Sequence, residues 1–232
     1  MKRRGHPATF DTRDALMHAA ADFMAEALQE ALDERGGACA LLSGGSTPEA
    51  AYTLLAVRDL DWPHITFALV DERFVPTEHD ASNERMLRRA LAPALARGAR
   101  LLPLYSPAAD LREAADRADA LYAPLPLDLV MMGMGEDGHT ASWFADAANF
   151  QDVIAEDNPR TIVATHAPSA AGCPDRLTLT FSAFMRAARV GLLITGKTKL
   201  DLATEAYMHT GRAPVGYVFR NQAAFLQVLW AD

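Results

Sequence analysis

Cysteine is nearly absent: Cys39 and Cys173 are the only two among 232 residues. Two thiols alone cannot build a disulfide framework or a zinc site. An excess of basic charge is also missing. Lys plus Arg number 22 against 30 Asp plus Glu, a formal net charge of −8, and non-specific nucleic-acid binding needs a basic face. No apolar run approaches the roughly 18 residues that a membrane span requires. Met1-Lys2-Arg3-Arg4 has the basic character of a secretion-signal head, but Gly5 to Asp11 brings no apolar stretch behind it. Repeats, low-complexity tracts and a clear linker are lacking too. What the chain does have is apolar mass: 50% of it is hydrophobic, with 22% charged. That is enough to bury a sizeable core in one domain over 1–232. The expectation is a cytoplasmic globular protein, a monomer or weak homodimer, whose partner is a small molecule rather than a nucleic acid or a membrane.

Hydrophobic spacing supplies the architecture. Asp11 to Arg35 carries Leu16, Ala20, Phe23, Met24, Ala27, Leu28 and Ala31 at helical spacing. Asp11 or Thr12 can cap its start, and Gly36-Gly37 stops it. Ala38 to Leu42 is a short apolar strand ending at Ser43-Gly44-Gly45-Ser46, and a helix follows with Pro48 in its first turn. Further strands are predicted at Ile65–Val70, Leu127–Met132 and Val190–Thr195. Helices are predicted at Ser82–Ala96, Leu111–Tyr122 and Lys199–His209. Thr161–Thr165 and Leu177–Thr180 are β-prone, Phe225–Trp230 fits a last strand or helix, and 145–159 reads as a loop. Continuous apolar strands alternating with amphipathic helices imply an α/β fold: a mostly parallel, Rossmann-like three-layer sandwich. In such a sheet, ligands bind beyond the carboxyl ends of the strands. Four segments there are polar or glycine-rich: Ser43–Ser46, Asp71-Glu72-Arg73, Gly133–Thr140 and Gly196-Lys197.

Two motif matches in these segments fail on their chemistry. Gly133-Met134-Gly135-Glu136-Asp137-Gly138 fits the dinucleotide pattern G-x-G-x-x-G, but Glu136 and Asp137 put two carboxylates where a pyrophosphate should sit. Gly191 to Thr198 fits the phosphate-loop pattern G-x-x-x-x-G-K-[ST]. Its middle residues Leu192, Leu193 and Ile194 belong to a buried strand rather than to a loop that wraps phosphates.

What remains is a set of rim groups. The glycines of Ser43-Gly44-Gly45-Ser46-Thr47-Pro48 let the backbone approach a ligand, and the following helix start attracts an anion. The alternative is a tight turn with Ser46 or Thr47 as a cap. Asp71-Glu72-Arg73, directly after a buried run, is either a solvated loop or puts Arg73 on the rim to meet an anionic group or an acidic neighbour, and Ser82-Asn83 supplies a helix cap. His139 follows a strand among glycines and is expected at a helix start. A helix N-terminus disfavours the protonated imidazole, which keeps a general base neutral near pH 7. Asp137 is placed to orient the ring. Arg176 is either a solvated edge charge or, with Lys197, a local cationic patch for a phosphorylated ligand.

Taken together, Ser43–Pro48, Asp71-Glu72-Arg73-Phe74-Val75-Pro76 with Ser82-Asn83, Gly133–Ser142, Arg176–Thr180 and Gly196-Lys197 resemble the 6-phosphogluconolactonase family. The pieces occur in that family's order and span most of the chain. The resemblance implies a fold shared with glucosamine-6-phosphate deaminase and ribose-5-phosphate isomerase. It also implies hydrolysis of 6-phospho-D-glucono-1,5-lactone in the pentose phosphate pathway, with no metal and no organic cofactor. On the same basis, His139 is the general base, Asp137 supports it and Arg73 is the third catalytic group. Gly44, Gly45, Ser46, Arg176 and Lys197 bind the phosphate.

One departure is that Ser142-Trp143-Phe144-Ala145-Asp146 keeps the aromatic of the family's Leu-Phe-Pro-like continuation and loses the proline. The alternatives are a deaminase-like isomerase and a non-catalytic sugar-phosphate-binding domain. Deaminases follow the histidine with Ile-Ala-Phe-Asn-Glu, and the glutamate's place here holds Phe144, which cannot carry a proton. Regulators of this fold bring a DNA-binding segment, and no basic region suits one.

Overall fold

Each element begins and ends for a local reason. In the computed structural model, which describes residues 7–170, 172–209, 213–220 and 224–232, α1 (Arg13–Arg35) starts where Thr12 Oγ1 accepts the Ala15 amide at 3.1 Å. It stops at Gly36, whose φ of 70° is the left-handed turn that ends many helices. Its buried stripe, including Leu16, Ala20, Met24 and Leu28, packs on the core. The strands β1 (Ala8–Thr9), β2 (Ala38–Leu42), β3 (Ile65–Leu69), β5 (Arg100–Leu101), β6 (Leu129–Met132), β9 (Arg189–Thr195) and β10 (Phe225–Ala231) form a seven-stranded sheet. Its order is β1-β10-β9-β6-β2-β3-β5, and every pairing is parallel. Every residue of β2, β3 and β6 is buried. Burial on both faces is why these strands read as unbroken apolar runs.

The connections α2 (Ser46–Leu55), α5 (Leu111–Tyr122) and α8 (Lys197–Met208) are helical where helices are expected, and the last segment resolves as a strand. Residues 83–96 are two helices, α3 (Asn83–Ala90) and α4 (Ala92–Ala96), instead of one. Pro93 is the cause: it has no amide to donate and its ring clashes one turn back. The segment 145–159 holds one short helix, α6 (Phe150–Val153). Gly191 to Thr195 lies inside β9, so that stretch is not a phosphate-wrapping loop. Among the described residues no helix is long and apolar enough to cross a membrane.

A second sheet stands apart from the first. Asp71-Glu72-Arg73 is not a loop but a short strand, β4 (Asp71–Arg73), in a three-stranded antiparallel sheet ordered β4-β8-β7 with β7 (Ile162–His166) and β8 (Asp175–Leu179). Its charged residues hide it from any hydrophobic pattern. They are tolerated because they are hydrogen-bonded. Glu72, fully buried, accepts the amides of Arg73 (2.7 Å), Asn83 (2.8 Å) and Glu84 (2.7 Å) and the Ser82 hydroxyl (3.0 Å). It thereby ties β4 to the start of α3.

Burial pushes the Glu72 carboxyl up to about 6, against the four hydrogen bonds that favour its charged form. The folded state therefore holds this proton more tightly than the unfolded chain. The contribution to stability is complete below the ordinary carboxylate range and is lost as pH rises through about 6. Unfolding measured for wild type and Glu72→Gln should show the wild-type advantage shrinking by about 1.5 kcal/mol between pH 4.5 and 6.5. A pH-independent difference would contradict this.

Candidate active site

The site is built at the carboxyl ends of β2, β3 and β6. After β2 the chain turns through Ser43, whose carbonyl accepts the buried Tyr52 hydroxyl at 3.0 Å. Gly44 lies so close to Asn83 that a Cβ there would stand 1.9 Å from its Oδ1. Gly45, at φ 112°, is the N-cap of α2, and no side chain caps the helix. Neither Ser46 nor Thr47 fills that role. The first-turn amides of α2 therefore keep the partial positive charge that attracts anions.

After β6 the chain makes a glycine turn. The amide of Gly135 donates to the His139 carbonyl (2.9 Å) and that of Gly138 to the Gly135 carbonyl (3.1 Å). Gly138 has φ 81°, and a side chain there would meet Ala213 and Leu202. No helix begins at His139, contrary to the expectation from sequence. Residues 140–143 form a turn closed by a bridge between Thr140 and Trp143, so His139 does not sit at the start of a helix of its own. Asp137 holds the ring instead, with Oδ1 2.5 Å from Nδ1 and 3.2 Å from the backbone amide it accepts. With Nδ1 engaged, Nε2 is the free nitrogen. Ala141, at φ 50°, is the one non-glycine residue with positive φ among those described, and such strain clusters at functional sites.

β4 and β8 bring the charged groups. Asp71, buried, accepts from the Ser142 hydroxyl at 2.6 Å and lies 3.9 Å from Nη1 of Arg176. Asn83 Nδ2 donates to the Asp71 carbonyl at 2.9 Å. Arg176 is also buried, with Nε donating to the Cys173 carbonyl at 2.5 Å. Burial lowers its pKa from the usual guanidinium value. Arg73 donates from Nη1 to the Ala81 carbonyl at 2.5 Å, and its buried Nε has no protein partner.

These segments enclose a cavity of about 190 Å³, whose lining includes Gly44, Gly45, Asp71, Arg73, His139 and Arg176. Asp137 reaches it through His139. Ser46 is not in that lining; it lines a separate hollow with Arg13, Thr47 and Thr195. Lys197, exposed, pairs with Asp201 at 2.9 Å. The buried pair Asp71–Asn83, both in the cavity lining, is what sequence reasoning passed over. The signal for Asp71 was a carboxylate directly after a buried strand; Asn83 was absorbed into a helix cap. Among the described residues, no group of three or more His, Cys, Asp and Glu side chains is arranged to hold a metal ion.

An α/β protein with an anion-attracting helix start, two arginines and an aspartate-held histidine around one crevice is of the class that binds small phosphorylated molecules. More narrowly, residues 11–230 match the sequence model of the glucosamine-6-phosphate isomerases/6-phosphogluconolactonase family, and the chain belongs to that family. It is 40% identical over 226 residues to a 6-phosphogluconolactonase of Rhizobium meliloti, covering 96% of this chain and 97% of the relative. Against a 6-phosphogluconolactonase of Pseudomonas aeruginosa it is 43% identical over 176 residues, 75% of this chain and 73% of the relative. The crystal structure of a 6-phosphogluconolactonase from Shewanella baltica superposes with a TM-score of 0.91 at 33% identity, covering 98% of this chain and 99% of that one.

Gly135 has no room for a side chain: a Cβ would stand 2.3 Å from His139 Nδ1 and 2.5 Å from Asp137 Oδ1. Gly135→Ala should keep the fold at a cost of about 1–3 kcal/mol and drive the two side chains apart. A crystal structure of the variant with the 2.5 Å contact intact would refute this.

Proposed function

We infer that the chain is a hydrolase that opens 6-phospho-D-glucono-1,5-lactone to 6-phosphogluconate in the pentose phosphate pathway, acting as one catalytic domain over 1–232. The observation that carries the chemical assignment is His139 in the same cavity as Arg73 and Arg176, with Nδ1 held by Asp137 and Nε2 free. Nε2 takes a proton from water, and the water oxygen attacks the lactone carbonyl. Asp137 stabilises the imidazolium that forms. The oxyanion needs donors already in place. Three of the five amides from Gly135 to His139 are engaged within the turn, which favours Arg73, whose Nε has no protein partner. As the tetrahedral intermediate collapses, the carbon–ring-oxygen bond breaks. The leaving oxygen takes the proton from Nε2, restoring neutral His139.

The phosphate is assigned to the Gly44-Gly45-Ser46 loop and Arg176, in the same crevice as the base. A fixed fork of donors suits phosphate better than a point charge. Lys197 joins by leaving Asp201. Held there, the phosphate orients the lactone without taking part in the chemistry. No metal or organic cofactor enters these steps. A cytoplasmic location and a monomer or weak homodimer complete the reading, with no nucleic acid or membrane as partner.

The test follows the decay of lactone generated in situ by glucose-6-phosphate dehydrogenase, with EDTA present and a no-protein blank. Wild type should exceed the blank, and His139→Ala should fall by roughly a hundredfold or more. Wild type at the blank rate would overturn the function; an active His139→Ala would overturn the base. Arg176→Lys should raise KM about tenfold with a smaller effect on kcat. An unchanged KM would move the phosphate elsewhere.

A further inference from the structure

We propose that Phe144 is a positioning residue that holds the imidazole plane of His139 and the guanidinium of Arg176 against one aromatic ring. The proposal rests on the reading of His139 as the base. The Phe144 ring stacks on the His139 ring with centroids 4.1 Å apart and planes 24° apart. The Arg176 guanidinium lies 5.7 Å from the centroid of the same ring. Phe144 is buried, yet it stands outside the main core. It belongs to a small separate cluster with Ala147, Ala167 and Ala170, against which Phe150 packs. The segment after the histidine turn thus backs the ring that in turn backs the base.

The contact adds something Asp137 cannot supply. A hydrogen bond to Nδ1 fixes one atom of the imidazole and leaves the ring free to tilt about it. A flat face at stacking distance fixes the plane, and with it the direction of Nε2. General-base catalysis depends on that direction, because a small misplacement of a reacting group costs large factors in rate. The electrostatics agree. The negative face of the phenyl ring attracts cations, and both neighbours are cationic at the moment they matter: the imidazolium after proton abstraction, and the guanidinium throughout.

Wild type, Phe144→Leu and Phe144→Tyr are compared in steady-state lactone hydrolysis, with the His139 Cε1 proton observed by NMR and assigned from the spectrum of His139→Gln. The Leu side chain fills space but cannot stack. Phe144→Leu should lose roughly tenfold or more in kcat, raise KM, and move the Cε1 proton downfield as the ring current disappears. Phe144→Tyr, which keeps the ring, should recover most of the loss. If Phe144→Leu fails to fold, the wild-type spectrum decides through the contact between the ring protons of residues 139 and 144. Wild-type kcat in folded Phe144→Leu, or a wild-type spectrum without that contact, would overturn the proposal. A wild type that hydrolyses no lactone would overturn the functional reading itself, and is distinguished by that result.

Discussion

One buried carboxylate organises the crevice. Asp71 sits where the chain leaves the large sheet for the small one, and it accepts the Ser142 hydroxyl while facing Arg176. Its backbone carbonyl accepts Asn83 at the head of α3, and Asn83 fills the space that Gly44 leaves open. Three segments thus converge on one residue, and Gly44 joins them through Asn83. A buried charge is costly unless it is paired and hydrogen-bonded. That cost turns the convergence into a constraint: each partner must arrive in place, or the carboxylate is left uncompensated.

The same constraint governs the cationic groups. The chain is acidic overall, yet two guanidiniums and an uncapped helix start face one crevice. Arg176 is held by a backbone carbonyl and a distant carboxylate rather than by a close ion pair, and Nε of Arg73 has no protein partner. Several arginines at the protein surface are paired closely, as Arg89 is with Glu49 at 2.6 Å. The contrast separates cations closed in surface ion pairs from the two that meet no close carboxylate in the crevice.

Much of this was legible from the residues. The parallel sheet showed in its apolar runs, because strands buried on both faces leave no polar alternation to confuse them. The rim segments followed from the rule that such sheets bind ligands beyond their carboxyl ends. The small sheet was not legible. Asp71-Glu72-Arg73 has the composition of a loop, and only the tertiary hydrogen bonds of Glu72 make it a strand. The helix expected at His139 was likewise wrong, since glycines and a following Thr and Ser suit a tight turn equally well. That Lys197 pairs with Asp201 and does not line the cavity is a matter of packing on α8. The reaction came from the family resemblance and the relatives that bear it out; the residues alone reached a phosphorylated ligand beside a histidine.

The central claim is that one crevice holds the reacting carbon at His139 and the phosphate at Arg176. A crystal structure with 6-phosphogluconate bound tests it most directly. The account predicts the C1 carboxylate within hydrogen-bond reach of His139 Nε2 and Arg73, and the phosphate on Arg176 and the Gly44-Gly45-Ser46 loop. A ligand bound in the reverse sense, or outside this cavity, would contradict it.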